Sequence, residues 1–228
     1  MVVTIYVDLL SQPCRALIVF LKNSKIPFEL ENVETLEGEQ KRPEFQAINP
    51  MMRVPAMKDG DFCLSETVAI FRYLTAKYPN DFPDHWYPAD IERRAKVDEY
   101  MAFHHQGVRE PLEAVAVEEV WLPILTGKPI SEEAVTKHLE TARKKMAVFT
   151  DVWLKDRSYL LGDELSFADV LSVSELVQNT MSRAPVIEDN DAVKAYIARV
   201  RERLNPEFDE VFETIYKRRD NFVEQNKK

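Results

Sequence analysis

The sequence predicts an α+β chain in two parts: a mixed βαβαββα domain over residues 1–79 and an all-α helical bundle over residues 90–228, joined by a linker at 80–89. Three observations predict this. β-Branched runs alternate with helical apolar faces up to about residue 77, a Pro-rich stretch without periodicity follows, and only the helical period recurs beyond it. A length of 228 residues suits two domains, and a content of only five glycines suits a mostly helical chain.

Each element has a local reason. Residues 2–7 are β-branched and aromatic and predict a buried strand. Pro13 suits a first helical turn, and Cys14, Leu17, Ile18 and Leu21 recur at i, i+3, i+4 and i+7, the apolar face of a helix ending near Asn23. Pro27 restarts the chain as a strand over residues 28–33, and a short helix starts at Pro43 and stops before Asn49-Pro50. Asp59-Gly60, between the short apolar runs 54–58 and 61–64, predicts a tight hairpin. Ser65 is placed as the N-cap of a helix over residues 66–77, whose face carries Val68, Ile70, Phe71 and Leu74. A parallel β-α-β half followed by an antiparallel hairpin is the thioredoxin-like arrangement.

Residues 78–88 hold three prolines and read as linker. Beyond them, one helical face carries Val97, Met101, His104 and Val108, and a second carries Leu139, Ala142, Met146, Phe149 and Trp153. Val170, Val173 and Val177 follow the capping sequence Ser166-Phe167-Ala168-Asp169. Two last helices are marked by Val193, Tyr196, Ile197 and Val200 and by Phe208, Val211, Phe212 and Ile215.

Composition narrows the function classes. The net charge of −9, from 30 basic and 39 acidic residues, comes without a basic run or basic-aromatic stripe, so no nucleic-acid partner is expected. Cys14 and Cys63 form neither a CxxC pair nor a zinc spacing, and no metal is expected. Two thiols do not staple a secreted fold, no basic leader precedes Asp8, and no apolar run is long enough to span a bilayer. The expected location is cytoplasmic, with no membrane association.

Several residues have the chemistry for a site, each with a plainer alternative. Ser11 stands where a strand ends and a helix begins. A helix N-terminus stabilises anions, so a ligand thiol held there would ionise below its ordinary pKa of about 8.5; alternatively Ser11 only caps the helix. Cys14 shares the apolar stripe and reads as a buried structural thiol, and Cys63 as strand core. Val54-Pro55 enters a strand beside a turn, a setting for a cis peptide that leaves the Val54 N–H and C=O free for an extended peptide ligand; the alternative is an edge-strand proline. Glu66-Thr67 at a helix start offers a carboxylate to an ammonium and a hydroxyl with helix N–H groups to a carboxylate, or is only an acidic first turn. Gln40, Lys41, Arg42 and Arg53 are loosely placed polar and basic positions suited to a second carboxylate, with Arg42 expected in solvent. His104 reads as a core histidine, while His105 and Arg109 share a neighbouring face that looks toward a cleft. Ser166-x-x-Asp169 reads as a folding cap.

Taken in order, these features resemble the soluble glutathione transferases. Residues 8–16 (Asp8-Leu9-Leu10-Ser11-Gln12-Pro13-Cys14-Arg15-Ala16), residues 54–62 and Trp86-Tyr87-Pro88 resemble the theta class in particular. The resemblance spans nearly the whole chain and is strongest through about residue 115. It implies a thioredoxin-like glutathione-binding domain, a helical domain for the electrophile, glutathione as co-substrate, a small hydrophobic electrophile as second substrate, and a homodimer. Residue by residue, it implies that Ser11 hydrogen-bonds the glutathione thiolate, with Gln12 also at the glutathione site. Val54 would pair with the cysteinyl backbone beside a cis Pro55. Glu66 would take the γ-glutamyl ammonium and Thr67 its carboxylate, with Arg53, Gln40 and Lys41 around the rest of the tripeptide. Leu10, His105 and Arg109 would face the electrophile.

The chain departs from the family in places. Gln40 stands where the family often has His, Thr67 where Ser is commoner, and Gln106 where some members have an acid. Mammalian theta enzymes extend their C-terminus over the active site, whereas this chain ends in the polar residues 221–228, which predicts a more open electrophile pocket. Three functions compete: a transferase with peroxidase or dehalogenase side activity, a non-catalytic glutathione- or ligand-binding or scaffold protein on the same fold, and a redox enzyme forming a mixed disulfide through Cys14. The complete set of Ser11, Val54-Pro55 and Glu66-Thr67 favours the first.

Overall fold

The computed structural model describes residues 2–188 and 190–226, with side chains described through residue 220. Four strands, β1 (Val3–Val7), β2 (Phe28–Asn32), β3 (Ala56–Asp59) and β4 (Phe62–Ser65), form one sheet in the order β2-β1-β3-β4. β1 runs parallel to β2, with Val3 opposite Phe28, and antiparallel to β3, with Ile5 opposite Met57. β3 and β4 form the hairpin, and Gly60 takes a φ of +61° at its turn, a conformation that costs glycine nothing. Helices α1 (Gln12–Lys22), α2 (Pro43–Gln46) and α3 (Thr67–Lys77) complete the βαβαββα unit.

Three local expectations are corrected. Ser65 ends β4 instead of capping α3, because it is paired with Ala56 in the sheet; Glu66 takes the N-cap position with a φ of +70°. β3 begins at Ala56 and not at Val54, since Pro55 has no N–H for a ladder. Cys63 is half-buried and not core, because β4 is the edge of the sheet.

In the second part, α4 (Ile91–His104), α5 (Glu110–Ala116) and α6 (Leu122–Thr126) continue one another through π-helical turns at His105–Arg109 and Val117–Trp121. α7 (Glu132–Val148) ends in a third such turn, Phe149–Leu154, and α8 (Phe167–Asn179), α9 (Asp191–Leu204) and α10 (Glu207–Asn226) follow. Every residue of α8 is buried, and it packs against α1, α4, α5 and α9. Ser166 and Asp169 close a capping box at its start. Asp169 accepts from the backbone N–H groups of Ser166 (2.7 Å) and Leu160 (2.8 Å) and from the Tyr196 hydroxyl (2.9 Å).

An aromatic cluster joins the two parts. Phe20 of α1 makes edge contacts with Phe71, Phe82, Trp86 and Phe167, and Phe71 of α3 stacks on Phe167 of α8 with centroids 3.8 Å apart. The sheet part and the bundle are therefore packed against each other through apolar rings. The expected openness of the electrophile pocket, read from residues 221–228, lies outside the described side chains. Among the described residues, no helix is long and apolar enough to cross a membrane.

Candidate active site

One wall of the cleft is built from the loops at the strand ends. Asp8 organises the turn after β1: Oδ1 accepts from the Leu10 N–H (2.8 Å) and Oδ2 from the N–H (3.1 Å) and hydroxyl (2.5 Å) of Thr35. This turn delivers Ser11 to the N-cap position of α1, where its side chain makes no capping hydrogen bond. The hydroxyl is thus not consumed by capping the helix, and it lies beside the buried Cys14 thiol. Cys14 is fully buried, and burial pushes its thiol up to about 11, so it is not a thiolate at neutral pH. A buried, neutral thiol disfavours redox chemistry at Cys14.

The second loop is held by buried Asn49, whose Nδ2 donates to the Arg53 carbonyl (2.7 Å) and whose Oδ1 accepts from the Met51 N–H (3.1 Å). It leads into a cis Val54–Pro55 peptide. Among the described residues, neither the N–H nor the C=O of Val54 has a backbone partner. The third loop carries Glu66 in the left-handed φ region, sparsely populated by residues with side chains and typical of functional positions. Thr67 opens α3 there, so a helix N-terminus meets the cleft.

The facing wall comes from the helical part. His104, His105 and Arg109 project from the end of α4 and the π-turn after it, and Leu171 and Glu175 from α8. The cleft between the walls holds about 190 Å³. It brings together Arg53, Val54, Pro55, Glu66 and Thr67 with His105 and Arg109. Ser11 itself is not among the lining residues; Pro13, two residues beyond it, is.

Other sequence candidates stand apart from this lining. Gln12 is buried at the start of α1, and Leu10 is half-buried against the core. Gln40 donates to the Thr35 carbonyl (3.1 Å), with its Oε1 buried and unpartnered, and Lys41 is exposed. Arg42 is exposed and paired with Glu39 (2.8 Å), as a solvated residue would be.

Glu175 was not among the candidates from sequence. It is 2% exposed and its Oε1 lies 2.6 Å from Arg109 Nη1, while Arg109 Nη2 is 3.1 Å from Glu113. Burial raises the Glu175 pKa, and Arg109 opposes the rise. A carboxylate inside an apolar helix is the signal that would have found it: Asp169 and Glu175 are the only charged residues of α8. Arg15 was also missed. It is fully buried, with Nη1 donating to the Leu9 carbonyl (2.7 Å) and Nη2 to Gln178 Oε1 (2.7 Å) and the Ser174 carbonyl (3.3 Å). Burial lowers its pKa to about 10, so it remains a cation at neutral pH.

His104 is buried as expected, its Nδ1 3.4 Å from the Tyr100 hydroxyl. Burial, with His105 and Arg109 adding repulsion, lowers its pKa from 6.5 to about 3. The folded pKa is depressed, so the stability this neutral imidazole contributes is full above pH 6.5 and is lost as pH falls toward 3. Across that window its contribution falls by about 1.4 kcal/mol per pH unit. Urea unfolding of wild type and His104→Gln at several pH values checks this: the wild-type advantage shrinks with that slope, and a pH-independent difference refutes it.

The first wall as a whole offers two helix N-termini, a carboxylate, an exposed guanidinium and a free stretch of backbone. That set complements a short peptide bearing an ammonium, carboxylates and a thiol. Among the described residues, no group of three His, Cys, Asp or Glu side chains could hold a metal ion.

Comparison with known proteins agrees. The family model described as glutathione S-transferase, N-terminal domain, matches residues 1–76, and that described as glutathione S-transferase, C-terminal domain, matches residues 112–204. Glutathione S-transferase theta-1 of Mus musculus is 40% identical over 221 residues, 96% of this chain and 91% of that protein. The Homo sapiens theta-1 protein is 37% identical over 217 residues, 95% and 90% of the two chains. The structure of a human theta-class glutathione transferase in complex with the glutathione conjugate of 1-menaphthyl sulfate superposes with a TM-score of 0.90 at 33% identity, covering 99% of this chain and 92% of that one. With such likeness over nearly its full length, the chain belongs to the glutathione S-transferase family and, within it, to the theta class.

Proposed function

We propose that this protein joins the thiolate of glutathione to small hydrophobic electrophiles, residues 1–79 holding the tripeptide and residues 90–228 the electrophile. The observation that carries the reading is the single cleft in which Arg53, Val54 and Glu66-Thr67 meet Arg109 and Leu171. Glu66 takes the γ-glutamyl ammonium, and Thr67 with the N-terminus of α3 takes the adjoining carboxylate. Val54 pairs with the cysteinyl backbone beside Pro55, and Arg53 approaches a remaining carboxylate. Gln12, Gln40 and Lys41 flank this half, the last two toward the glycyl end; Leu10, His105 and Arg109 border the electrophile. Ser11, at the N-terminus of α1, donates to the sulfur and favours its ionised form.

The thiolate then attacks an electrophilic carbon. A C–S bond forms, and the bond to the leaving group breaks with its electron pair. The thiol proton has already passed to solvent. The same thiolate would displace halide from an alkyl halide or attack a hydroperoxide, the two side activities that suit this site. The chemistry needs no metal. Exposed Met51, Phe62 and Ile91 support a homodimer that covers them, testable as a sedimenting mass twice that of the chain. A cytoplasmic location fits a protein with free, unpaired cysteines.

Calorimetric titration of glutathione tests the binding half. Thr67→Ala and Glu66→Gln each weaken glutathione about tenfold, the cost of one charge-assisted hydrogen bond. Unchanged affinity in both variants would remove the cleft from glutathione recognition. A non-catalytic ligand-binding protein is the less favoured reading, since Ser11 keeps a hydroxyl free of capping duty.

A further inference from the structure

We infer that Glu175 is a positioning residue for the second substrate, holding the Arg109 guanidinium against the wall of the cleft that faces the electrophile. The inference rests on the transferase reading above. Arg109 stands on a π-turn at the cleft, and its side chain keeps 22% of its surface exposed. Left to itself, a long side chain at that site would sample many rotamers. Glu175 removes that freedom: it is anchored on a helix buried along its whole length, and its Oε1 lies 2.6 Å from Arg109 Nη1. The second carboxylate on this guanidinium, Glu113 at 3.1 Å, is 40% exposed and constrains it far less.

The rest of Glu175 is not explained by folding. Its Oε2 is buried without a hydrogen-bond partner, a costly arrangement that an apolar side chain would avoid. The other charge on α8, Asp169, is fully used by the capping box. Glu175 instead spends its one strong contact on a cleft residue. Buried Arg15 is a second cationic neighbour of Glu175, without a hydrogen bond to it and outside the cleft lining. A carboxylate kept in the core at a cost, half-satisfied and aimed at a cleft arginine, is what a positioning role requires.

The test separates the two halves of the cleft. Calorimetry is run with glutathione and with the glutathione conjugate of 1-menaphthyl sulfate on wild type, Glu175→Gln, Arg109→Gln and the double variant. Glutathione affinity stays within about threefold throughout, because Glu175 stands on α8 in the facing wall and not on the loops that carry Arg53, Val54, Glu66 and Thr67. Conjugate affinity falls about tenfold in each single variant and no further in the double, since both changes remove one linked device. With 1-menaphthyl sulfate as second substrate, its KM rises in Glu175→Gln while the KM for glutathione does not move. A merely structural role would shift both halves together. If Glu175→Gln fails to fold, Glu175→Asp replaces it: the shorter side chain draws the guanidinium back, and the same split is expected. Conjugate affinity within twofold of wild type, or losses that add in the double variant, overturns the inference. Wild-type protein that fails to bind glutathione at all overturns the transferase reading and this inference with it, a result distinct from tight glutathione binding with an unmoved conjugate.

Discussion

Ser11→Ala raises the pKa of the glutathione thiol bound in the cleft and slows conjugation. A hydrogen bond to an ionised group contributes about 1.5–3 kcal/mol, which corresponds to a rise of about 1–2 pH units in the bound thiol. At neutral pH the thiolate fraction then falls, and kcat/KM drops by about 10- to 100-fold. The effect is not total, because the N-terminus of α1 survives the substitution and still favours a nearby anion. Ultraviolet difference titration of the thiolate on wild type and variant reads the two contributions apart. The Ser11 share is the shift that reverts, and the helix share is the depression that remains relative to free glutathione. Tight binding with an unshifted thiol in both proteins would end the catalytic claim and leave a ligand-binding protein on a transferase fold.

Asp169→Ala removes about 4 kcal/mol of stability, enough to threaten folding at physiological temperature. The carboxylate is fully buried and serves three donors: the N–H groups of Leu160 and Ser166 and the Tyr196 hydroxyl. Alanine leaves these donors in the core without partners, at about 1–3 kcal/mol each before the structure relaxes, and unmakes the cap of α8. Because α8 packs against both α1 and the other long helices, the loss spreads to both parts of the molecule. Urea unfolding measures it directly. A loss below about 1 kcal/mol would mean that water reaches and satisfies these donors.

The sheet half is legible because its signals are local. Alternating β-branched residues, the i, i+3, i+4 face from Cys14 to Leu21 and the Asp59-Gly60 turn each specify their own conformation without help from distant residues. The Ser166–Asp169 cap is legible for the same reason. Ser65 misleads because strand pairing with Ala56 outweighs a capping preference of about 1 kcal/mol. The π-turn after His104 has no local sequence code, and His105 and Arg109 on it both reach the cleft. Half of the candidate site follows from the order Val54-Pro55, Glu66-Thr67. Of the other half, His105 and Arg109 follow from their shared helix face, but Glu175 does not, because it lies 66 positions from Arg109 and meets it only through tertiary packing. Gln40 and Lys41 follow from residue type and from the family resemblance, and neither determines where a loop turns its side chains.

The Arg15 cation limits how the molecule can move. Its guanidinium joins the Leu9 carbonyl, in the turn that precedes Ser11, to Ser174 and Gln178 on α8. Swinging the sheet half away from the bundle would break the bonds to Ser174 and Gln178 and part Phe71 from Phe167, so the closed arrangement is favoured. Access to the cleft then falls to side chains at its mouth, such as solvent-facing Arg53. If turnover is limited by product escape, its rate responds to changes at that mouth and to solvent viscosity.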